Sequence, residues 1–326
     1  MKIGMITDSL GHLSFSEMLR ASAELGLETL EFACGNWSSA PHINLNTMLG
    51  SETARREFIA AVGDHGLSIS ALNCSGNPLY PGAKGEENHR VTAGTIKLAS
   101  LLGIDRVVMM SGLPGGPGDA NPNWIITDWP PECLEIQKYQ WEEKLIPYWR
   151  DLVAYSNNLG IRKLCLELHG HQAVYNVHTL LKLRDAVGET VGANYDPSHP
   201  LWMNADPIAA VRALGSAIYY VHAKDTRVEP VPTAIDGNLD PRPGDRYGER
   251  SWNYITLGYG HGETWWRQFC TALKQAGYDD VLSIEHEDMM MSPIEGMRKS
   301  VQLLRNVAIN LSEPIKQMAA AAPQTP

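Results

Sequence analysis

The sequence predicts a single α/β domain, a closed (β/α)8 barrel, on three observations. A helix-like stretch, a glycine, a few residues and then a buried strand recur along the chain, with the glycines at Gly26, Gly66, Gly103, Gly160, Gly188, Gly215 and Gly277. Eight apolar segments of strand length alternate with helical periodicity, and no second pattern interrupts them. The 326 residues also exceed the roughly 250 typical of such barrels by enough for two long loops. A doubly wound open sheet shares much of this rhythm, but eight units favour closure.

Read in order, the strands fall at 3–7, 29–33, 68–73, 106–110, 163–168, 191–196, 217–222 and 281–285. A glycine just past a helix takes a positive φ without a Cβ clash and turns the chain into the next strand. Ser14 and Glu17 are spaced as a capping box ahead of Met18, Leu19, Ala21 and Leu25. Further amphipathic helices are expected at 53–64, 88–102, 132–158, 178–187, 207–214, 264–275 and 293–310. The long loops, 112–131 after strand four and 226–260 after strand seven, leave the face where barrels keep their chemistry, and read as a partial lid or an interaction surface. The barrel is placed at 1–310, with a fraying tail at 311–326.

Composition excludes several function classes. A net charge of −10 with no basic run argues against a nucleic-acid partner, because phosphate binding needs clustered Lys and Arg. Neither the N-terminal segment nor any later stretch has an apolar run of signal or membrane length, so a cytoplasmic protein without membrane contact is expected. Five scattered cysteines with no CxxC pair suit a reducing compartment and buried thiols.

Four strands end in metal-type side chains: Glu167, Asp196, His222 and Glu285. Alternate strand residues share a face, so Cys165, Glu167 and His169 face the barrel axis while Leu164, Leu166 and Leu168 face the helices. The same parity groups Asn194 with Asp196, Tyr220 with His222 and Lys224, and Ser283 with Glu285 and Glu287, and turns His286 outward. Three carboxylates at a barrel axis repel one another unless a cation balances them. Oxygen-rich ligands with one imidazole and no thiolate suit Mn2+, the expected ion, or Mg2+, with Co2+, Fe2+ and Zn2+ also admitted.

With these motifs the chain resembles the xylose isomerase-like TIM-barrel superfamily of sugar isomerases, ketose epimerases, inosose dehydratases and an apurinic endonuclease branch. The resemblance spans nearly the whole chain. Asp196-Pro197-Ser198-His199 matches its D-x-x-H element and His222-Ala223-Lys224-Asp225 its H-x-K-D element. The resemblance implies that Glu167, Asp196, His222 and Glu285 hold one divalent metal.

One segment departs from the ketose epimerases, which use two metal-bound glutamates as a proton-transfer pair and carry a further Glu shortly after the first. Here the segment reads Glu167-Leu168-His169-Gly170-His171-Gln172. With the tryptophan-bearing loop after strand four and the 226–260 insertion, it looks like the α subunits of C-glycoside deglycosidases. That likeness implies a lyase on 3-oxo-glycosides that pairs with a small β subunit; an isomerase or epimerase of a free keto sugar is the alternative. Both begin by removing a proton next to a sugar carbonyl, and a neutral imidazole near working pH suits that task. The catalytic candidates are therefore His169, Glu167 and Glu285. His199 positions substrate or a metal ligand, Lys224 and Asp225 bind sugar hydroxyls or pair with each other, and Trp124 stacks on substrate or anchors its loop. Glu31 and Asn73, at the ends of strands two and three, are further substrate-contact candidates, and His171 is as readily incidental. Homo- or hetero-oligomerisation stays open.

Overall fold

The computed structural model describes residues 1–309. Ten strands occur among them: β1 Lys2–Ile6, β2 Thr29–Ala33, β3 Ser68–Asn73, β4 Arg106–Met109, β5 Lys163–Glu167, β6 Val191–Tyr195, β7 Ile218–Ala223, β8 Asp225–Val228, β9 Trp252–Ile255 and β10 Val281–Ile284. Eight close a parallel barrel in the order β1-β10-β7-β6-β5-β4-β3-β2, and β8 and β9 form a separate antiparallel pair. The chain is a single (β/α)8 barrel, as its periodicity predicts. The tail expected at 311–326 lies outside the described residues, as does Asn310, the expected end of the last helix.

Local signals place the helices. Ser14 caps Phe15–Leu25 with both halves of the capping box present. Gly26 ends that helix in the left-handed region at φ 76° and ψ 35°. Gly188 and Gly215 also have positive φ, but their ψ values of 176° and −126° lie outside αL, in backbone regions that only glycine enters freely. The helix expected at 132–158 is interrupted: an α-helix at Glu132–Tyr139 passes through a π segment at Gln140–Leu145 into Ile146–Asn158. Pro147, in the first turn of the last piece, lacks the N–H that an unbroken α-helix would use there.

The core has two compartments. Leu164, Leu166 and Leu168 are buried between barrel and helices, each contributing about 1.5–3 kcal/mol of hydrophobic stabilisation. Inside the barrel Ala71, Val108, Cys165, Tyr220 and Val281 form a plug, which the Tyr220 hydroxyl joins to Ser70 Oγ at 2.7 Å. The polar side chains of the mouth stand above this plug. The β-ladder shifts register at Leu30/Glu31 and at Ala193/Asn194, in strands that carry mouth residues.

The insertion after β7 is ordered. β8 and β9 pair from Asp225↔Ile255 to Val228↔Trp252, with a short helix Pro230–Asp236 between them. Its alternating Trp252, Tyr254 and Thr256 is a strand signal within a stretch read from sequence as a loop. Four cysteines are buried, Cys133 is half-buried, and all five are free thiols. No helix among the described residues is long and apolar enough to cross a membrane.

Candidate metal centre

Strand register delivers the four ligand candidates to one point. Glu167 ends β5 opposite Asn194, His222 pairs with Ser283, and Asp196 and Glu285 lie one residue past β6 and β10. One ligand atom from each of Glu167, Asp196, His222 and Glu285 falls within 4.8 Å of all the others. Ligands held at about 2.1 Å by one ion lie no more than about 4.2 Å apart, so an ion needs only small side-chain shifts to bind all four.

Two buried atoms test that fit. Asp196 Oδ2 and His222 Nδ1 are both without a hydrogen-bond partner, although Lys224 Nζ lies 3.3 Å from Asp196 Oδ2 as an ion pair. His222 Nδ1 lies 3.2 Å from Glu167 Oε2 and 3.3 Å from Glu285 Oε2. Buried polar atoms without partners are costly, and a divalent cation among these oxygens and the imidazole would satisfy both. The residues therefore fit the group.

Glu31 orients the imidazole. It is fully buried, and its Oε2 accepts from His222 Nε2 at 2.9 Å and Ser283 Oγ at 2.9 Å, while Oε1 accepts from Asn73 Nδ2 at 2.8 Å. A carboxylate only accepts, so Nε2 carries a proton and faces Glu31 while Nδ1 faces the shared point. Glu31, expected at the substrate, instead contacts His222; Asn73 braces Glu31 and also borders the cavity.

Electrostatics follow from burial and neighbours. Burial raises the Glu167 carboxyl, but the hydrogen bond from His199 and the His222 imidazole 3.2 Å away outweigh it and hold the group well below the usual range. Asp196 is pushed up to about 7 by burial, against the pull of Lys224 and with the push of Glu167 and Glu285. Burial lowers His222, and Glu31 and Glu285 raise it further, to well above the usual value. Burial opposes ionisation of Glu285, yet Lys224 and His222 bring it down to about 2.

Lys224 and Asp225 do not pair with each other. Lys224 Nζ reaches Glu285 at 2.7 Å, Glu287 at 3.2 Å and Asp196 at 3.3 Å. Asp225 turns into the insertion, where it accepts from the backbone N–H groups of Thr226, Gly258, Gly260 and His261 and from the His261 ring.

A cavity of about 320 Å3 opens beside the ligands, bordered by Glu167, His169, Lys224, Tyr254, Glu285 and Trp37. His169 Nδ1 lies 2.5 Å from the Gly170 carbonyl oxygen, to which it can only donate, so in the neutral imidazole Nε2 is the nitrogen with the lone pair. Gly170 is pressed against Trp202: a Cβ there would fall 2.5 Å from Trp202 Cζ2. Trp202 in turn stacks on Trp252 of β9 at 4.8 Å. His199 Nε2 donates to Glu167 Oε1 at 2.7 Å and does not border the cavity. Trp124 packs edge-on to His171 and Tyr175 and also lies off the cavity. His286 sits over the Gly296 backbone, with Nε2 3.3 Å from the Met291 carbonyl oxygen. A larger groove of about 910 Å3, bordered by Tyr80, Tyr148 and Tyr155, lies elsewhere; of the four ligand candidates, Glu167 and Glu285 border the smaller cavity.

A family model described as xylose isomerase-like TIM barrel matches residues 19–307. The chain belongs to this family. YfiH of Bacillus subtilis (strain 168), described as an uncharacterized protein, is 48% identical over 308 residues, 94% of this chain and 98% of YfiH. The crystal structure of IOLI protein with a binding zinc atom superposes with a TM-score of 0.65 at 18% identity, covering 94% of this chain and 98% of that one. D-psicose 3-epimerase with D-tagatose from Clostridium cellulolyticum H10 gives 0.59 at 16% identity, over 94% and 99%. At these identities the two structures share the fold.

In this xylose isomerase-like barrel several cavity residues escape sequence reasoning, among them Asp8, Ser38, Trp37 and Tyr254. Trp37 is 52% exposed in a loop where Asn36 and Ala40 take positive φ of 68° and 51°. The Gly35-Asn36 pair was its turn signal, but nothing marked its aim. Tyr254 lies in the insertion, where only the period-2 alternation of β9 could have revealed it.

Proposed function

We propose that this family member is a divalent-metal-dependent lyase, with Mn2+ as the expected ion, that cleaves 3-oxo-C-glycosides by elimination. The observation that carries this reading is His169, which borders the same cavity as Glu167 and Glu285 and whose Nδ1 is engaged by the Gly170 carbonyl, leaving Nε2 as the nitrogen able to accept a proton. It is a single base, separate from the metal ligands. A divalent cation held by Glu167, Asp196, His222 and Glu285 supplies Lewis-acid polarisation of the substrate carbonyl.

His169 Nε2 takes the C2 proton, and the C–H electron pair becomes the C2=C3 bond of an enolate with its charge on the C3 oxygen. The C3 carbonyl then re-forms as C1=C2 forms and the C1–aglycone bond breaks. The aglycone leaves with that electron pair and takes a proton, which the His169 imidazolium can return. The Trp37 face, half exposed beside His169 at a ring distance of 6.1 Å, suits stacking on an aromatic aglycone. A small second subunit is part of the proposal. Val231, Ile235 and Leu239 of the insertion and Met289 beyond β10 are exposed apolar residues that offer it a face.

The second reading is epimerisation of a free keto sugar by the two metal-bound glutamates. The family and the epimerase neighbour favour it. Against it, Lys224 Nζ lies 2.7 Å from Glu285 Oε2, which opposes the proton exchange expected of one member of a matched pair. Turnover of a 3-oxo-glucosyl aromatic C-glycoside with Mn2+, alone and with a neighbouring small subunit, separates the readings when run beside a panel of ketoses. Aglycone release that is lost in His169→Gln is expected. Epimerised ketose without aglycone release would move the assignment to the second reading.

A further inference from the structure

We propose that Tyr254 is a positioning residue: its phenol donates to His199 Nδ1, holds the ring in the Nε2–H form that Glu167 requires, and thereby keeps one oxygen of Glu167 facing the metal position. The inference rests on the four-residue metal site and does not depend on the sugar chemistry.

His199 is fully buried between two partners. Its Nε2 meets Glu167 Oε1 at 2.7 Å, and its Nδ1 meets the Tyr254 hydroxyl at 3.0 Å. An ionised carboxylate can only accept, so Nε2 bears the hydrogen. A neutral imidazole then has its lone pair on Nδ1, and the Tyr254 O–H donates to it. The second oxygen of Glu167, Oε2, accepts from Asn194 Nδ2 at 3.0 Å and lies 3.2 Å from His222 Nδ1. His199 thus occupies Oε1 and leaves Oε2 toward the shared point. With the other tautomer, Nε2 and Glu167 Oε1 would be two acceptors facing each other, and the carboxylate would swing.

Tyr254 is itself held. It pairs with Thr226 across the β8–β9 ladder, packs edge-on to Trp252 at 5.2 Å, and lies under Lys224 Nζ at 4.5 Å. The insertion hairpin therefore reaches the metal position through one hydroxyl. Oriented partners of this kind typically change metal affinity by about 10- to 100-fold when removed.

The test is Tyr254→Phe, which keeps the ring over Lys224 and against Trp252 and deletes only the hydroxyl. Calorimetric titration with Mn2+ should show affinity weakened about tenfold. In histidine-labelled, metal-free protein, nitrogen NMR should show His199 with an unprotonated Nδ1 that accepts a hydrogen bond and a protonated Nε2, and the Nδ1 resonance should move in the variant as its donor is lost. The peaks are assigned by their disappearance in His199→Gln. In that background the glutamine amide donates to Glu167 without a tautomer to choose, so adding Tyr254→Phe should leave Mn2+ affinity unchanged. An unchanged His199 spectrum in Tyr254→Phe, or an equal loss of affinity in both backgrounds, overturns the inference. Absence of Mn2+ binding by the wild-type protein overturns the metal site itself, and the His199 spectrum still decides the role of Tyr254.

Discussion

Lys224 Nζ stands 2.7 Å from Glu285 Oε2 in a buried mouth, so one of the four converging ligand candidates carries its own counter-cation. The ammonium offsets the charge of the carboxylates and at the same time repels any incoming cation. Lys224→Met should move two observables in opposite directions. The metal-free protein should lose about 3 kcal/mol of stability as buried carboxylates become unpaired, while Mn2+ affinity rises at least about tenfold. Thermal melts and titration calorimetry check the pair, and parallel changes would show that Lys224 acts only as packing.

Glu31→Gln keeps the volume but weakens the acceptor that orients His222. Mn2+ affinity should fall about 10- to 100-fold. Titration calorimetry reads it, and affinity equal to wild type would return Glu31 to the role of a substrate contact.

Protons compete with the cation for the same atoms. Asp196 is raised to about 7 and His222 lies well above its usual value, so near neutrality Asp196 is partly protonated and His222 holds a proton, both of which a metal must displace. A raised group is protonated below its folded value, so the sign is fixed: Mn2+ affinity increases with pH across about pH 6 to 8, with proton release. Calorimetry in two buffers of different ionisation enthalpy measures that release, and an affinity flat in pH would contradict it.

His169→Gln should lower turnover by about a hundred- to ten-thousand-fold and leave Mn2+ affinity within about twofold, since His169 is not among the four ligands. Loss of metal binding in this variant would reassign His169 to the metal.

Trp37→Ala removes a half-exposed ring whose backbone N–H is held by the Ser75 carbonyl at 3.0 Å. The melting temperature should barely change, and KM for an aromatic C-glycoside should rise about five- to tenfold. A fall in kcat at constant KM would point instead to a role in aligning His169.

The barrel was legible because its signals are local. The capping box at Ser14 and the glycine at Gly26 act within a few residues, and strand parity is a matter of alternation. That parity also set the inward direction of Glu167, Asp196, His222 and Glu285. Partner choice is not local. Glu31 and His222 meet across the closed barrel, and Lys224 chose Glu285, Glu287 and Asp196 over its neighbour Asp225 because successive residues leave a strand in opposite directions. The π segment at Gln140–Leu145 and the β8–β9 hairpin were hidden for a related reason. The first keeps helical composition, and the second is a short alternation inside a stretch rich in Pro, Gly and Asp.

Trp252 stacks on Trp202, which presses on Gly170, whose carbonyl holds the His169 ring. The His169 ring and the insertion are therefore one packed unit. Grafting His169 alone onto another barrel of this kind would move the residue without the support that aims it, and any side chain at position 170 would separate the two even if every ligand were kept.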